Sequence, residues 1–194
     1  MNVPRFLRRL FRKPYDGLRH FGVVEEGVLY RCGQPEPDDL SELIERHGVR
    51  TVVSLRGTRG ADDPDSWERA EREACSEQGA DFLALPCNHK NPPTADQVRQ
   101  FLDTVDDAAR RPVLVHCRLG QQRTLLFCAL YRVHGQRVDP NEALREMDEL
   151  GFNIRHRRHR RLLEAFRQFA AVDGPVSGGT GQPAPCKPSL PAKS

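Results

Sequence analysis

Short apolar segments alternate with amphipathic helical segments along the middle of the chain, and this alternation restricts the fold more than any other feature of the sequence. Residues 51–55, 81–85 and 112–116 have the length and apolar content of buried strands. Between them lie residues 65–78 and 94–109, in which apolar side chains recur at helical spacing. Strands that alternate with helices favour a parallel sheet. We therefore predict an α/β fold with a single-domain, open, mainly parallel sheet flanked by helices.

Further elements are predicted on both sides of this alternating region. Residues 23–31 have the pattern of a hairpin that turns at Glu26-Gly27, and residues 38–47 have a helical pattern that stops before Gly48. On the carboxyl-terminal side we predict three more helices, at residues 124–133, between Asp139 and Gly151, and at residues 157–170.

The composition divides the chain into one domain and two extensions. Its 194 residues suit a domain of common size, which we predict at residues 21–172. Residues 1–20 form a basic N-terminal arm, whose first 15 residues are either a solvated arm or a short amphipathic helix in weak contact with a membrane surface. Residues 173–194 are rich in Gly, Pro and Ser, and are predicted to be disordered.

Charge and cysteine content exclude several classes of protein. The net charge of +3 is too small for a dedicated nucleic-acid binder, so no nucleic-acid partner is predicted. No apolar run approaches the ~18 residues of a transmembrane span. The six cysteines include no Cys-x-x-Cys pair, which argues against zinc and against a disulfide framework. Because the basic start also lacks the apolar region of an export signal, we predict a cytoplasmic protein with free thiols.

The predicted topology indicates where a ligand binds. In open sheets of parallel strands, ligands gather beyond the carboxyl ends of the strands. Three predicted strands end there in polar or turn-forming sequences, which are Arg56-Gly57, residues 86–91 and the segment that begins at Cys117. These three segments are the predicted site.

One of these segments carries the residues for chemistry on phosphate. A short loop after the strand 112–116 leads into a helix, so its backbone amides and the helix start are suited to hold an anion. The same positive field lowers the pKa of a thiol from ~8.5 into the range of ~3.5–7.5, which makes Cys117 a candidate nucleophile. Arg123 supplies a planar fork that matches two phosphate oxygens. Gly120 permits the backbone angle that a tight loop needs.

Two other interpretations of this loop compete with a phosphate site. A cysteine at the end of a buried strand is commonly a buried free thiol, but that interpretation does not explain Gly120, Arg123 and Thr124 at their spacing. Sulfurtransferases of the rhodanese type also carry a cysteine loop with an arginine, usually with one residue fewer in the loop. The spacing here favours phosphate.

The pattern His-Cys, five residues, Arg-Thr at residues 116–124 resembles the phosphate-binding loop of the protein tyrosine and dual-specificity phosphatase superfamily. Residues 27–35 and 51–57 resemble the opening of small bacterial dual-specificity-like phosphatases, so the similarity covers most of residues 21–170. The resemblance implies a tyrosine-phosphatase-like fold and a phosphocysteine intermediate, with no metal or cofactor. It implies that Cys117 and Arg123 are catalytic, that His116 orients the loop and that Thr124 bonds the departing thiolate. The predicted substrate-binding residues are Arg56, Arg118, Leu119, Gly120, Gln121, Gln122 and Arg123.

The residue that protonates the leaving oxygen is less clearly indicated. Relatives place an aspartate on the loop after the preceding strand, but this chain has no acid between Asp81 and Asp96. We assign the acid to Asp96, although an acid in a first helical turn commonly just complements the helix dipole. His89 is the rival, with a surface residue as its simpler interpretation. Arg56 either contacts substrate or pairs with a nearby carboxylate.

Two further features of the sequence, the basic run at residues 155–161 and Cys87, each have a structural and a functional interpretation. The basic run at residues 155–161 is a solvated helix face or a surface that steers phosphorylated substrates. Cys87 is a core thiol or a redox partner of Cys117.

The sequence thus predicts an enzyme, a phosphatase that hydrolyses phosphomonoesters. Phosphotyrosine is the main predicted substrate, with phosphoserine and phosphothreonine as further candidates. The alternatives are an inositol phosphate or lipid phosphatase and a non-catalytic phosphate-binding module. Relatives that favour highly charged substrates tend to carry lysines in this loop, so by this resemblance a loop without lysine favours a protein substrate.

Overall fold

Five strands form one mixed sheet in the computed structural model, which describes residues 18, 20–56 and 67–171. The strands are β1 (Gly22–Glu25), β2 (Leu29–Cys32), β3 (Thr51–Ser54), β4 (Asp81–Ala84) and β5 (Val113–His116), in the order β1-β2-β5-β3-β4. The pair β1 and β2 is antiparallel, whereas β2, β5, β3 and β4 run parallel. The predicted open, mainly parallel sheet is confirmed.

Helices cover the sheet on both sides. They are α1 (Pro37–His47), α2 (Trp67–Glu77), α3 (Ala95–Asp106), α4 (Gln122–His134), α5 (Pro140–Glu149) and α6 (Arg160–Ala170). A 3₁₀ turn, Arg157–His159, precedes α6, so the helix predicted at 157–170 starts with a tighter turn. The other predicted helices are confirmed within the described residues, with ends that shift by up to three residues. Residues 65 and 66 of the predicted helix 65–78 lie outside the described residues.

Local sequence signals explain several of these boundaries. Thr94 accepts a hydrogen bond from the Gln97 N–H, and the Gln97 side chain bonds back to the Thr94 N–H, a capping box that starts α3. The Asp139 side chain caps α5 ahead of a proline at its first position. Helix α1 ends at Gly48, whose φ of +62° lies in the left-handed region that glycine adopts without strain.

The core lies on both faces of the sheet. Val113 and Val115 of β5 face a large cluster with α3, α4, α5 and α6, while Leu114 faces a smaller cluster with α1 and α2. Within the larger cluster the rings of Phe101 and Phe127 meet edge to face with centroids 5.0 Å apart. Both rings are fully buried, so truncation of either to alanine is expected to cost about 3–5 kcal/mol.

Strand register brings the carboxyl ends of three strands to one edge of the sheet. His116 of β5 lies between Cys32 of β2 and Ser54 of β3. The residues that follow these strands therefore start from the same edge, and the Leu55 N–H donates to the His116 carbonyl at 2.9 Å. This edge is where the sequence predicts the site.

The predicted extensions fall outside the described residues. The N-terminal arm at 1–20, except for residues 18 and 20, and the tail at 173–194 belong to this part of the chain. The domain boundaries therefore stay predictions. None of the described helices is both long and apolar enough to cross a membrane.

Candidate active site

The loop from Cys117 to Arg123, called the phosphate loop below, connects the central strand β5 to helix α4. Cys117 follows the last residue of β5 and is buried, with 1% of its surface exposed. Arg123 is the second residue of α4 and is half-buried. The buried strand and the buried helix hold the two ends of the loop, so they fix the cysteine and the arginine relative to each other.

The environment of Cys117 favours its thiolate. Burial raises the pKa of this thiol, whereas the charge of Arg123 lowers it, as do the nearby Thr124 hydroxyl and the N–H groups of Thr124 and Leu119. Together these groups lower the pKa more than burial raises it, so the pKa of Cys117 lies below its ordinary value. A thiolate is the reactive form of cysteine.

Three other buried cysteines behave in the opposite way. Burial raises the pKa of Cys75 and of Cys87 to about 12, and it raises the pKa of Cys32 well above the ordinary value. Each of these thiols therefore stays protonated at neutral pH. Among these four cysteines, Cys117 alone has the electrostatic environment of a nucleophile.

Arg123 is anchored by the ends of two neighbouring strands. Its Nη1 donates to the Leu55 carbonyl at 2.8 Å and to the Cys87 carbonyl at 3.2 Å. These carbonyls follow β3 and β4. The two bonds fix the plane of the guanidinium, while the N–H groups on Nε and Nη2 have no hydrogen-bond partner within residues 18, 20–56 and 67–171. This is the arrangement needed to bind two oxygens of one anion.

Gly120 is required where the phosphate loop crosses the end of β2. Its φ is +70°, and a Cβ at this position would lie 2.5 Å from the backbone nitrogen of Gly33. The Gln34 N–H also donates to the Arg118 carbonyl at 3.3 Å. The segment after β2 therefore packs against the phosphate loop and is hydrogen-bonded to it. The sequence pattern did not predict this contact.

Arg56 lies at the same edge of the sheet. Its Nη1 donates to Gln34 Oε1 at 2.7 Å, and its Cζ lies 4.0 Å from the centroid of the Trp67 ring. Burial lowers the pKa of Arg56, the charge of Glu71 opposes this, and the charges of Arg123 and Arg118 lower the pKa further. Arg56 therefore shares the positive field of the phosphate loop. The roles of Gln34 and Trp67 were missed by sequence reasoning because both depend on contacts between distant segments.

The two candidate acids occupy different surroundings. Asp96 lies in the first turn of α3 with its side chain 88% exposed and 3.3 Å from Arg99. His89 is half-buried, and its pKa is lowered by burial and then by the positive charges of Arg158, Lys90, Arg123 and His159. The field of Arg123 thus reaches His89.

The other predicted site residues belong to the phosphate loop or border it. Leu119 is 37% exposed and Arg118 is exposed, whereas the side chains of Gln121 and Gln122 are half-buried. His116 is fully buried beside Glu71 of α2. Within residues 18, 20–56 and 67–171, no group of three or more His, Cys, Asp or Glu side chains could hold a metal ion.

This sheet order, with a Cys-x₅-Arg loop between the central strand and a buried helix, defines the class of tyrosine-phosphatase-like α/β domains. A family model described as "DSP-PTPase phosphatase fused to NAD+ Kinase" matches residues 19–162. The chain belongs to this family. The resemblance stated from the sequence is confirmed.

Similar proteins include two curated phosphatases. The dual specificity protein phosphatase TpbA of Pseudomonas aeruginosa is 33% identical over 148 residues, which are 76% of this chain and 61% of that protein. Inositol diphosphatase DSP1 of Oryza sativa is 29% identical over 109 residues, which are 54% of this chain and 45% of that protein. The chain therefore spans less than two thirds of the length of these relatives.

A solved structure supports the same relationship. The crystal structure of a cysteine-to-serine variant of P. aeruginosa TpbA in complex with pTyr superposes with a TM-score of 0.58 and 26% sequence identity. The superposition covers 82% of this chain and 93% of that chain. The tyrosine-phosphatase-like fold predicted from the sequence is confirmed.

Proposed function

We propose that this chain is a phosphatase that hydrolyses phosphomonoesters through a phosphocysteine intermediate on Cys117. One observation carries the proposal: Cys117 begins a loop whose far end holds the Arg123 guanidinium in a fixed plane, and the charge of Arg123 lowers the pKa of this buried thiol although burial raises it. A structural thiol gains nothing from such an environment, whereas a nucleophile needs it.

In the first step the thiolate of Cys117 attacks the phosphorus of the bound ester. The new S–P bond forms as the bond between phosphorus and the leaving oxygen breaks, and the leaving oxygen takes the bonding electron pair. The free N–H groups of Arg123 and the backbone amides of the phosphate loop stabilise the charge on the other phosphate oxygens. The fixed plane of Arg123 supports this role because little reorganisation is needed when that charge develops.

In the second step water attacks the phosphocysteine. The bond between sulfur and phosphorus breaks, inorganic phosphate is released, and the proton of the water passes to solvent. The Thr124 hydroxyl donates a hydrogen bond to the departing thiolate, a role supported by its effect on the pKa of Cys117. His116 acts indirectly, by holding the end of β5 from which Cys117 starts.

The leaving oxygen of an alkyl ester needs a proton because an alkoxide departs poorly, whereas the leaving oxygen of an aryl ester can depart as a phenolate without one. Asp96 and His89 remain the candidate donors. Asp96 pairs with Arg99, and the lowered pKa of His89 leaves its imidazole neutral at pH 7. His89 therefore lacks the proton to donate at neutral pH, and Asp96 is exposed and paired with Arg99, so we infer that phenolic esters are the preferred substrates.

Phosphotyrosine is the phenolic phosphomonoester of proteins, and it is the proposed main substrate. The pTyr complex of the TpbA variant supports this assignment, as does the absence of lysine from residues 117–123. An inositol phosphate is the second candidate, favoured by the similarity to inositol diphosphatase DSP1. Phosphoserine and phosphothreonine are expected to be poorer substrates because their alkoxides depart less readily.

A cytoplasmic location is also proposed. Five cysteines in the described part of the chain are free, which supports a reducing compartment. The weak membrane contact of the N-terminal arm stays a prediction.

Turnover of p-nitrophenyl phosphate by the wild type and by Cys117→Ser tests the proposal. The wild type is expected to release phosphate and the variant to release none, while the variant still binds vanadate or phosphate. A wild-type protein that binds phosphate without turnover would instead support the non-catalytic binding module.

A further inference from the structure

A cluster of basic side chains lies beside the phosphate loop and takes no part in the mechanism above. We define the basic rim as Lys90, Arg158, His159 and Arg161. Lys90 belongs to the turn after β4, and the other three belong to the 3₁₀ turn before α6 and to the first residues of α6.

The turn after β4 connects the basic rim with Arg123. Arg123 donates to the carbonyl of Cys87, and Arg161 donates to the carbonyl of Lys90 at 2.7 Å. These two carbonyls are three residues apart, so they lie within roughly 11 Å of each other, because an extended chain spans at most ~3.6 Å per residue. The turn itself is held by Asn88, whose side chain accepts from the N–H groups of Lys90 and Asn91 at 2.8 and 3.0 Å.

A second contact connects the same region with the phosphate loop. The backbone of Gly151 approaches the Gln121 side chain so closely that a Cβ at Gly151 would lie 3.0 Å from Gln121 Nε2. From there the chain continues through Asn153, whose carbonyl lies 3.2 Å from Nδ1 of His159. The basic rim is therefore attached to the phosphate loop from two sides.

The positive charge of the basic rim is not neutralised by carboxylates. Within residues 18, 20–56 and 67–171, none of its four members forms an ion pair with Asp or Glu. On α1 and α2, by contrast, Arg46, Arg69 and Arg72 each pair with a glutamate four residues away. Like charges held close together repel each other, and a bound anion would relieve that repulsion.

The positive charges of the basic rim and of the phosphate loop both act on His89. After burial, the charges that lower its pKa are those of Arg158, Lys90, Arg123 and His159. Three of these belong to the basic rim and one to the phosphate loop. An anion near His89 would therefore feel both.

We propose that the basic rim binds a second phosphate group of the substrate while the phosphate loop holds the one that is hydrolysed. The proposal rests on the proposed function and deepens it, because it assigns the substrate to molecules that carry two or more phosphates close together. Two sources share this chemistry, a peptide with a second phosphorylated residue beside the phosphotyrosine and a polyphosphorylated polyol.

A rim variant tests the proposal against a control with the same loss of charge. Lys90→Ala/Arg158→Ala removes two cations from the basic rim and keeps the bond from Arg161. Arg145→Ala/Arg167→Ala removes two exposed arginines from α5 and from the later part of α6. One arm compares peptides with one or two adjacent phosphotyrosines, and the other arm compares inositol monophosphate with inositol hexakisphosphate.

For the wild type and the control variant, kcat/KM is expected to favour the more highly phosphorylated member of at least one pair. For the rim variant this preference is expected to fall about 10-fold, since charge-assisted hydrogen bonds are the strong ones. Hydrolysis of p-nitrophenyl phosphate is expected to be unchanged in both variants. The arm in which the preference depends on the basic rim identifies the source of the second phosphate.

A binding measurement separates this proposal from the proposed function. Calorimetric titration of the same four ligands into Cys117→Ser, with and without the rim substitutions, needs no turnover. An equal preference in the rim and control variants, in both arms and by both measurements, would overturn the basic rim as a phosphate site. If the wild type shows no turnover, but binding still favours the more highly phosphorylated ligand and this preference depends on the basic rim, the proposed function would be overturned instead.

Discussion

Glu71 of α2 and His116 of β5 form a buried pair beneath the phosphate loop, with Glu71 Oε2 3.5 Å from His116 Nε2. The two side chains are 2% and 0% exposed, and neither Glu71 oxygen has a hydrogen-bond partner within the described residues. Buried polar groups are costly unless they have partners, and the Glu71 carboxyl and the His116 imidazole face each other in this buried position. The pair connects α2 with the strand end that carries Cys117.

Replacement of Glu71 by glutamine is expected to destabilise the protein. The Glu71→Gln side chain keeps its size, but its amide replaces one carboxyl oxygen and introduces buried donors. The expected loss in the free energy of unfolding is about 1–3 kcal/mol, measured by urea denaturation. The matched control is Glu73→Gln, on the same helix and 59% exposed. Equal stability of the two variants would contradict a role for the buried pair.

Gly120→Ala is expected to lower the free energy of unfolding more than an alanine substitution at a left-handed glycine normally does. Gly48→Ala is the control, because Gly48 has a φ of +62° and a Cβ added there would meet no atom within 4 Å, whereas a Cβ at Gly120 would meet the Gly33 nitrogen at 2.5 Å. The control should lose about 1–2 kcal/mol of stability from the backbone angle alone. Gly120→Ala should lose more and should also lower kcat, since the phosphate loop must move. Similar effects of the two substitutions on stability and rate would show that the close approach is unimportant.

Arg123→Lys separates charge from geometry. Lysine keeps the positive charge but cannot donate to the Leu55 and Cys87 carbonyls and to an anion in one fixed plane. The expected fall in kcat is roughly 10²–10³-fold, the range for loss of one transition-state donor. Arg145→Lys, at an exposed position on α5, serves as the control in the same assay. A rate near that of the wild type would mean that another residue binds the phosphoryl group.

The leaving-group dependence tests the candidate acids. At pH 7 phenyl phosphate should be cleaved far faster than an alkyl phosphate, because the imidazole of His89 is neutral and Asp96 is exposed and paired with Arg99. The pKa of His89 is lowered, so its acidic form is populated only below its ordinary value of about 6.5. Any assistance from His89 should therefore appear as the pH falls below that value and disappear as the pH rises through the lowered pKa.

Alanine variants assign that assistance to one residue. His89→Ala should abolish the rise in alkyl phosphate cleavage at low pH and leave phenyl phosphate nearly unchanged. If Asp96→Ala instead slows the alkyl phosphate at neutral pH, Asp96 is the acid. Equal rates for aryl and alkyl phosphates in the wild type at pH 7 would contradict an unassisted leaving group.

Patterns within short segments made much of the fold predictable. The strands around Val113 and Thr51 appear as apolar runs, and the start of α5 appears as a cap followed by a proline. The phosphate loop is also local, since Cys117 and Arg123 are separated by five residues. These features depend on neighbours in the sequence, which is why they can be read there.

Contacts between distant segments were not predictable. The approach of Gly33 to Gly120 and the carbonyl anchors of Arg123 join segments that are far apart in the chain, and the Trp67 ring reaches Arg56 only through the packing of α2. Each depends on the exact register of the sheet and on how the helices pack. The surroundings of Asp96 and His89 belong to the same category, because sequence position alone does not show which charges act on a side chain.

Acid-quench mass spectrometry tests most directly whether Cys117 carries the phosphoryl group. Wild-type protein mixed with p-nitrophenyl phosphate and quenched during turnover should gain the mass of one phosphoryl group, on the peptide that contains Cys117. Cys117→Ser should gain none and release no p-nitrophenol. Turnover by Cys117→Ser at the rate of the wild type, or a phosphoryl group on a different peptide, would contradict a phosphocysteine at Cys117.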